Sequence, residues 1–181
     1  MILDAIAGPF RPRPPWLTGD LQTLRNILRR DAPDPGPFAR LWLDLPDGDA
    51  LSAAWHEGDG SRPTIVLIHG LTGCEDSAYM RRSAAFWRRR GHGVVRLNLR
   101  GSAPSRARST RPYNAAAGAD IVHALRDLPE EARHPGLICI AVSLGGTQLL
   151  NALACEGDDP SLPIVAAATV CAPVLLAPVA R

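Results

Sequence analysis

Short apolar runs alternate with amphipathic stretches through most of the chain. The runs hold five to eight residues with almost no charge, a pattern typical of parallel strands buried on both faces. The predicted strands are Thr64–Ile68, Gly93–Leu99, Gly136–Val142 and Ile164–Cys171, and the predicted helices are Ala78–Arg90, Ala116–Leu128 and Leu144–Glu156. This alternation predicts an α/β fold, with a mostly parallel sheet and helices on both of its faces.

A different pattern precedes this alternation. Leu41–Leu45 and Ala50–Trp55 read as two strands joined by a turn at Asp47-Gly48, which predicts a hairpin that begins the sheet. The residues before the hairpin are rich in proline and contain one amphipathic stretch, formed by Leu21, Leu24, Ile27 and Leu28. We therefore divide the chain into an N-terminal arm, residues 1–40, and an incomplete α/β domain, residues 41–181.

The amino-acid composition of the chain excludes several classes of function. The chain has 181 residues, of which 46% are hydrophobic and 21% charged, as expected of one globular domain. No lysine is present, which excludes Schiff-base catalysis and a P-loop phosphate site. The four cysteines form no CxxC pair and lie mostly in apolar segments, which favours buried thiols in a reducing compartment. No signal or membrane-spanning segment is evident, so we expect a cytoplasmic location.

The strongest chemical signal follows the predicted strand Gly136–Val142. Ser143 stands between that strand and a helix, with Ala141 two residues before it and Gly145 two residues after it. A nucleophile on such a sharp strand-to-helix turn requires small residues at those two positions. The spacing therefore predicts a nucleophile elbow with Ser143 as its catalytic residue.

A second strand-to-helix junction supports the first. Thr64–Ile68 opens into His69-Gly70-Leu71-Thr72-Gly73, a loop of the kind that donates a backbone N–H to an oxyanion. We predict an oxyanion hole formed by the amides of Leu71 and Leu144, with Thr72 as the alternative to Leu71.

These motifs, together with others along the chain, resemble the YheT-type α/β-hydrolases, relatives of embryogenesis-associated and lipase-like hydrolases. The resemblance rests on Trp16-Leu17, Leu21-Gln22-Thr23, Leu45-Pro46-Asp47-Gly48-Asp49, His69-Gly70-Leu71-Thr72-Gly73, Leu99-Arg100-Gly101 and Ser143-Leu144-Gly145-Gly146. It implies the α/β-hydrolase fold and a carboxylesterase that acts on short-chain acyl esters or monoacylglycerol-like lipids, with Ser143 as nucleophile and no cofactor or metal. It also implies that the loop from Arg100 to Arg111, which we expect to be flexible, borders the site.

The triad of this fold is incomplete in the chain. Its order is serine, then an acid, then histidine, but all five histidines precede Ser143. The acids that follow, Glu156, Asp158 and Asp159, lie at the far end of the predicted helix, roughly 20 Å from the serine. We expect this chain alone to be nearly inactive. The alternative is a catalytically silent binding or interaction module.

If the chain adopts the fold of this family, its strands should lie in the sheet in the order 1-2-4-3-5-6, and the last strands of the family's sheet should be missing from it. The strand near Val165 would then form an exposed apolar edge, which a partner chain or a missing C-terminal segment would cover. A rearranged triad that uses His69 as base is the other way to complete the site. We favour His69 as a residue that braces the oxyanion loop.

Ten arginines and no acid lie between Arg81 and Arg111. Nucleic acid and anionic lipid headgroups are both candidate partners for such a run. Four of the arginines, however, occupy the helix face opposite Met80, Ala84 and Trp87, as on an ordinary solvated surface. We therefore predict no nucleic-acid partner and at most weak contact with a membrane surface.

Overall fold

The computed structural model describes residues 11–22 and 32–175, and the chain divides into two units, Met1–Ala32 and Pro33–Arg181. In the first unit the Trp16 N–H donates to the Arg13 carbonyl (2.8 Å), and residues 19–22 are helical. The predicted positions Leu24, Ile27 and Leu28 of the amphipathic stretch lie outside the described residues. Within those residues, no helix has the length and apolar character needed to cross a membrane.

The second unit contains every predicted strand and helix. The strands are β1 (Ala39–Asp44), β2 (Ala50–His56), β3 (Thr64–Ile68), β4 (Val94–Leu97), β5 (Leu137–Val142) and β6 (Ile164–Val170). The helices are α1 (Ala78–Arg88), α2 (Gly118–Arg126), α3 (Glu130–Arg133) and α4 (Leu144–Glu156). Sequence reasoning missed two short elements, α3 and a 3₁₀ turn at Ser105–Arg108, because four residues are too few for a helical repeat to show.

The six strands form one sheet in the order β1-β2-β4-β3-β5-β6, which confirms the predicted order. β1 pairs antiparallel with β2, and β2 pairs antiparallel with β4. The remaining pairs, β4 with β3, β3 with β5 and β5 with β6, are all parallel. The carboxyl ends of β3 and β5 therefore meet at the same edge of the sheet, next to each other.

Burial explains why β3 is an uninterrupted apolar run. All five of its residues are buried, because helices cover both faces of the sheet at that point. On one face Ile65 and Leu67 pack in a cluster with Met80 of α1. On the other face Val66 and Ile68 belong to a larger cluster that includes residues of α2 and α4. The central strand is thus held on both sides before it opens into its loop.

β6 lies at the edge of the sheet, as predicted, and it is far less covered than β3. It pairs only with β5 in the described part of the chain, and Val165 and Val170 are 61% and 50% exposed. An exposed apolar edge strand offers unpaired backbone groups to another strand.

Candidate active site

Ser143 occupies the turn between β5 and α4, and its backbone is strained. Its φ of 52° and ψ of −123° lie in a region that residues with a Cβ rarely adopt. Such a conformation costs on the order of 1–3 kcal/mol and persists only where the surroundings enforce it. Here the Ser143 N–H donates to the Val170 carbonyl of β6 (2.8 Å), and its carbonyl accepts from Thr147 of α4 (3.2 Å).

The turn can be this tight because the residues around Ser143 are small. A Cβ at Gly145 would lie 2.2 Å from the carbonyl oxygen of His69, and one at Gly146 would lie 2.8 Å from the Cβ of Ala172. Ala141, two residues before the serine, is completely buried. A larger side chain at 145 would therefore collide with the backbone of the loop after β3, and the side chain at 141 is enclosed by the protein.

The loop after β3 packs directly against this turn. A Cβ at Gly70 would lie 2.9 Å from the Cβ of Ser143 and 3.6 Å from its Oγ. The neighbouring Leu71 is 66% exposed. Among the described residues, neither the Leu71 N–H nor the Leu144 N–H donates to another protein group. The alternative donor differs, because the Thr72 N–H already donates to the Tyr113 hydroxyl (2.7 Å).

His69 is buried and both of its ring nitrogens are engaged. Nδ1 lies 2.7 Å from the Gly70 carbonyl and donates to it, which leaves Nε2 to accept from the Leu99 N–H (3.1 Å). Nε2 also lies 3.1 Å from the hydroxyl of Ser102. Burial lowers the pKa of His69, since the charged imidazolium loses its solvation. His69 therefore links the loop after β3 to the segment after β4, and neither of its ring nitrogens is left for proton transfer at Ser143.

The other candidate bases and acids lie in different surroundings. His56 contacts the Pro37 carbonyl (2.8 Å) and His92 the Pro63 carbonyl (2.7 Å). Glu156 and Asp159 pair with Arg126 at the carboxyl end of α4. In residues 11–22 and 32–175, no imidazole or carboxylate hydrogen-bonds to the Ser143 hydroxyl.

Arg100 is a residue whose role the sequence reasoning missed. It is 5% exposed and forms ion pairs with Asp47 (2.9 Å), Asp49 and Asp120 (2.7 Å). Hydrogen bonds to Asp120 are the main cause that raises the pKa of its guanidinium. The loop from Arg100 to Arg111, predicted to be flexible, is instead tied to the β1–β2 turn, which corrects that expectation. The sequence contained a signal for this role, because Arg100, Asp47 and Asp49 all belong to motifs on which the family resemblance rests.

Glu75 anchors the far end of the loop after β3. Its carboxylate is 2% exposed and accepts from Arg40 through two bonds of 2.5 Å and from the Asn98 side chain at 2.6 Å. The Glu75 N–H in turn donates to the Asn98 side-chain oxygen (2.8 Å). Burial acts to raise the pKa of Glu75, but these charge-assisted bonds outweigh it and lower the pKa. The loop is therefore held at both ends, by His69 and by Glu75.

A family model described as the alpha/beta hydrolase fold matches residues 63–179, well over half of the chain. The chain belongs to the α/β-hydrolase family. Within it, YheT of Escherichia coli (strain K12) is 35% identical over 176 residues, which confirms the YheT-like resemblance. That alignment covers 94% of this chain and 50% of YheT.

Two further comparisons show how much of the chain resembles other α/β-hydrolases. Human phospholipase ABHD3 is 32% identical over 159 residues, covering 82% of this chain and 37% of that protein. The solved esterase Pf2001 of Pyrococcus furiosus has a TM-score of 0.62 at 21% identity, covering 77% and 53% of the two chains, which shows a shared fold. The chain thus spans half or less of the length of these curated relatives.

Proposed function

We propose that this chain is the nucleophile-bearing part of a serine hydrolase that cleaves carboxylic esters. The observation that carries the proposal is the positive φ of Ser143 between a buried strand and α4, with Gly70 packed against it. A strained serine is retained where its strain positions a reactive group. The sequence relatives YheT, named as an esterase, and ABHD3, named as a phospholipase, support a hydrolase. Short-chain acyl esters or monoacylglycerol-like lipids are the substrates we propose.

The proposed chemistry is acyl transfer. Ser143 Oγ attacks the ester carbonyl, forming a C–O bond while the carbonyl π electrons move to oxygen. The amides of Leu71 and Leu144 donate to that oxyanion, and the positive end of α4 adds to its stabilisation. The carbonyl then re-forms as the ester C–O bond breaks, and the leaving alkoxide takes the proton that the serine has lost. A water molecule attacks the acyl-serine in the same way, releasing the carboxylic acid and returning the proton to Ser143 Oγ.

A base must carry that proton, and we propose that it comes from sequence outside this chain. The exposed edge of β6 is where such sequence would pair, whether it belongs to a partner chain or to a further segment. A serine without its base retains only about 10³- to 10⁴-fold catalysis over water, from binding and the oxyanion hole. We therefore expect very low turnover of a short-chain nitrophenyl ester by residues 1–181.

Covalent labelling tests the nucleophile directly. A fluorophosphonate should modify the chain slowly at Ser143, as intact-mass and peptide mass spectrometry would show, and Ser143→Ala should abolish the adduct. Ser61→Ala removes an exposed hydroxyl elsewhere and should leave labelling unchanged. Labelling that persists in Ser143→Ala would contradict the assignment. An unlabelled chain that still binds ester analogues would favour the silent binding module.

A further inference from the structure

The two tyrosines of the chain come from different elements and reach the same loop. Tyr79 lies in the first turn of α1, and Tyr113 lies in the segment that precedes α2. The Gly70 N–H donates to the Tyr79 hydroxyl (3.0 Å), and the Thr72 N–H donates to the Tyr113 hydroxyl (2.7 Å). The two hydroxyls thus accept from the amides on either side of Leu71.

The remaining groups of this loop are fixed as well. The Gly73 N–H donates to the Gly70 carbonyl (3.1 Å), which also accepts from His69 Nδ1 (2.7 Å). That carbonyl belongs to the same peptide unit as the Leu71 N–H, and the two groups point in opposite directions. Holding the carbonyl therefore sets the direction of the Leu71 N–H. Of the amides at 70–73, only that of Leu71 has no acceptor among the described residues.

The tyrosines fit the loop closely. A Cβ at Gly73 would lie 2.9 Å from the Tyr79 hydroxyl, so the loop has room for that hydroxyl only because residue 73 is glycine. The ring of Tyr113 meets the His69 ring edge-on, with centroids 6.1 Å apart. Thr72 has a φ of 58°, a left-handed conformation that is unfavourable for a β-branched residue. Its bond to Tyr113 helps to keep it there.

We propose that Tyr79 and Tyr113 are positioning residues that leave Leu71 as the single oxyanion donor of this loop, an inference that rests on the proposed function. Without the hydroxyl acceptors, the His69–Gly70 and Leu71–Thr72 peptide units, which flank the unit that carries the Leu71 N–H, can rotate. Rotation of these neighbours strains the bonds of the Gly70 carbonyl and shifts the Leu71 N–H away from Ser143. Backbone rotation of this kind weakens a preorganised donor without removing it. The hydroxyl groups, and not the rings, perform this role, so Tyr79→Phe and Tyr113→Phe are the appropriate variants.

Hydrogen exchange tests the geometry without any need for activity. In the unmodified chain, NMR-detected exchange among the amides at 70–73 should be fastest at Leu71 and about fivefold slower at Gly70 and Thr72, since a hydrogen bond contributes roughly 1 kcal/mol. Tyr79→Phe should accelerate exchange at Gly70, and Tyr113→Phe should accelerate it at Thr72, each by about fivefold. Unchanged exchange at these amides, in variants with native circular dichroism, would overturn the proposal.

Labelling kinetics test the consequence at Ser143. With a fluorophosphonate at increasing concentrations, each Phe variant should lower the maximal labelling rate about tenfold and leave the concentration for half-maximal rate unchanged. Complete loss of a donor costs about 10²- to 10³-fold, so displacement of the donor should cost less. A variant that only loosened the binding surface would instead raise the half-maximal concentration. Ser61→Ala, an exposed hydroxyl deletion, is the matched control and should match the unmodified chain.

The two experiments separate failure of this proposal from failure of the proposed function. If the unmodified chain is not labelled at Ser143, the nucleophile assignment fails, and the exchange pattern still decides whether the tyrosines hold the loop. If labelling occurs and the Phe variants change exchange at Gly70 and Thr72 but not the maximal labelling rate, the positioning role is wrong. Accelerated exchange together with a lowered maximal rate supports it.

Discussion

The two loops that meet at Ser143 are held in place by opposite means. The turn after β5 depends on missing side chains, since a Cβ at Gly145 would collide with the His69 carbonyl. The loop after β3 depends on side chains that are present, from His69 at its start to Glu75 at its end, with tyrosine hydroxyls between them. The turn after β5 is thus restricted mainly by steric exclusion, beside two backbone hydrogen bonds of Ser143, whereas the loop after β3 is held mainly by polar bonds, beside the close approach at Gly73.

This difference sets how each loop should respond to change. Steric exclusion does not vary with pH or salt, and it fails only when atoms are added. Buried polar bonds fail when one partner is removed or changes its protonation state, because the remaining partner stays desolvated. The following experiments separate the two modes, from the largest expected effect to the smallest.

Removing the Arg100 guanidinium should be the most damaging change. Arg100→Leu leaves Asp49, itself 3% exposed, without its cation, and we expect a loss of about 4 kcal/mol in the free energy of unfolding. Arg126→Leu is the matched control, because Arg126 also binds two carboxylates but is 34% exposed, and it should cost less than about 1 kcal/mol. Urea denaturation measures the loss of unfolding free energy in both variants. Equal losses would contradict the expectation that burial makes the ion pairs of Arg100 contribute more than those of Arg126.

Adding one methyl group to the turn after β5 should have the next largest effect. In Gly145→Ala the new Cβ would lie 2.2 Å from the His69 carbonyl oxygen, and backbone must move to accommodate it. We expect a loss of about 3 kcal/mol by thermal or urea unfolding. Gly19→Ala, where a Cβ meets no atom within 4 Å, should change stability by less than about 1 kcal/mol. A tolerated Gly145→Ala would show that the turn is not sterically fixed.

The polar network beside the loop after β3 should make the unfolding free energy depend on pH. Burial lowers the pKa of His56 from 6.5 to about 4, so the unfolded chain binds its proton first as pH falls. The stabilisation from neutral His56 is complete above pH 6.5 and declines between pH 6.5 and 4, by about 2 kcal/mol. Unfolding free energies at several pH values within that window measure the decline.

The His56→Gln variant should show a shallower slope in the same window, and some slope should remain because burial also lowers the pKa of His69. His134, which is exposed, supplies the control, and its Gln variant should retain the full slope. A His56→Gln slope equal to that of the unmodified chain would assign the dependence to other groups.

The smallest expected effect is a gain in stability. Glycine tolerates the positive φ of Ser143, so Ser143→Gly should raise the unfolding free energy by up to about 1 kcal/mol while abolishing labelling. At Ser77, where φ is −54°, the same replacement should lower stability. Destabilisation by Ser143→Gly would mean that the serine is not strained in solution.

The same contrast explains what could be predicted from sequence. The small residues at 141 and 145 are two positions from Ser143, so a tight turn between β5 and α4 is visible in a short window, and short apolar runs predicted each strand near its observed position. The bond from the Thr72 N–H to Tyr113 could not be predicted in the same way, because Tyr113 lies 41 residues further along the chain. The ion pairs of Arg100 also lie outside any short window, since its carboxylate partners are 20 to 53 residues away, and only the motifs of the family resemblance brought these residues together.

The sheet order has a consequence for how the chain folds. β3 ends at residue 68, but its two partners, β4 and β5, end at residues 97 and 142. A chain emerging from the ribosome therefore carries a strand whose five residues are all buried in the folded sheet, and its hydrogen-bonding edges stay open until β4 and then β5 arrive. A pause in translation between residues 98 and 136 would prolong the time for which the β5-facing edge is open and favour association of nascent chains through β3.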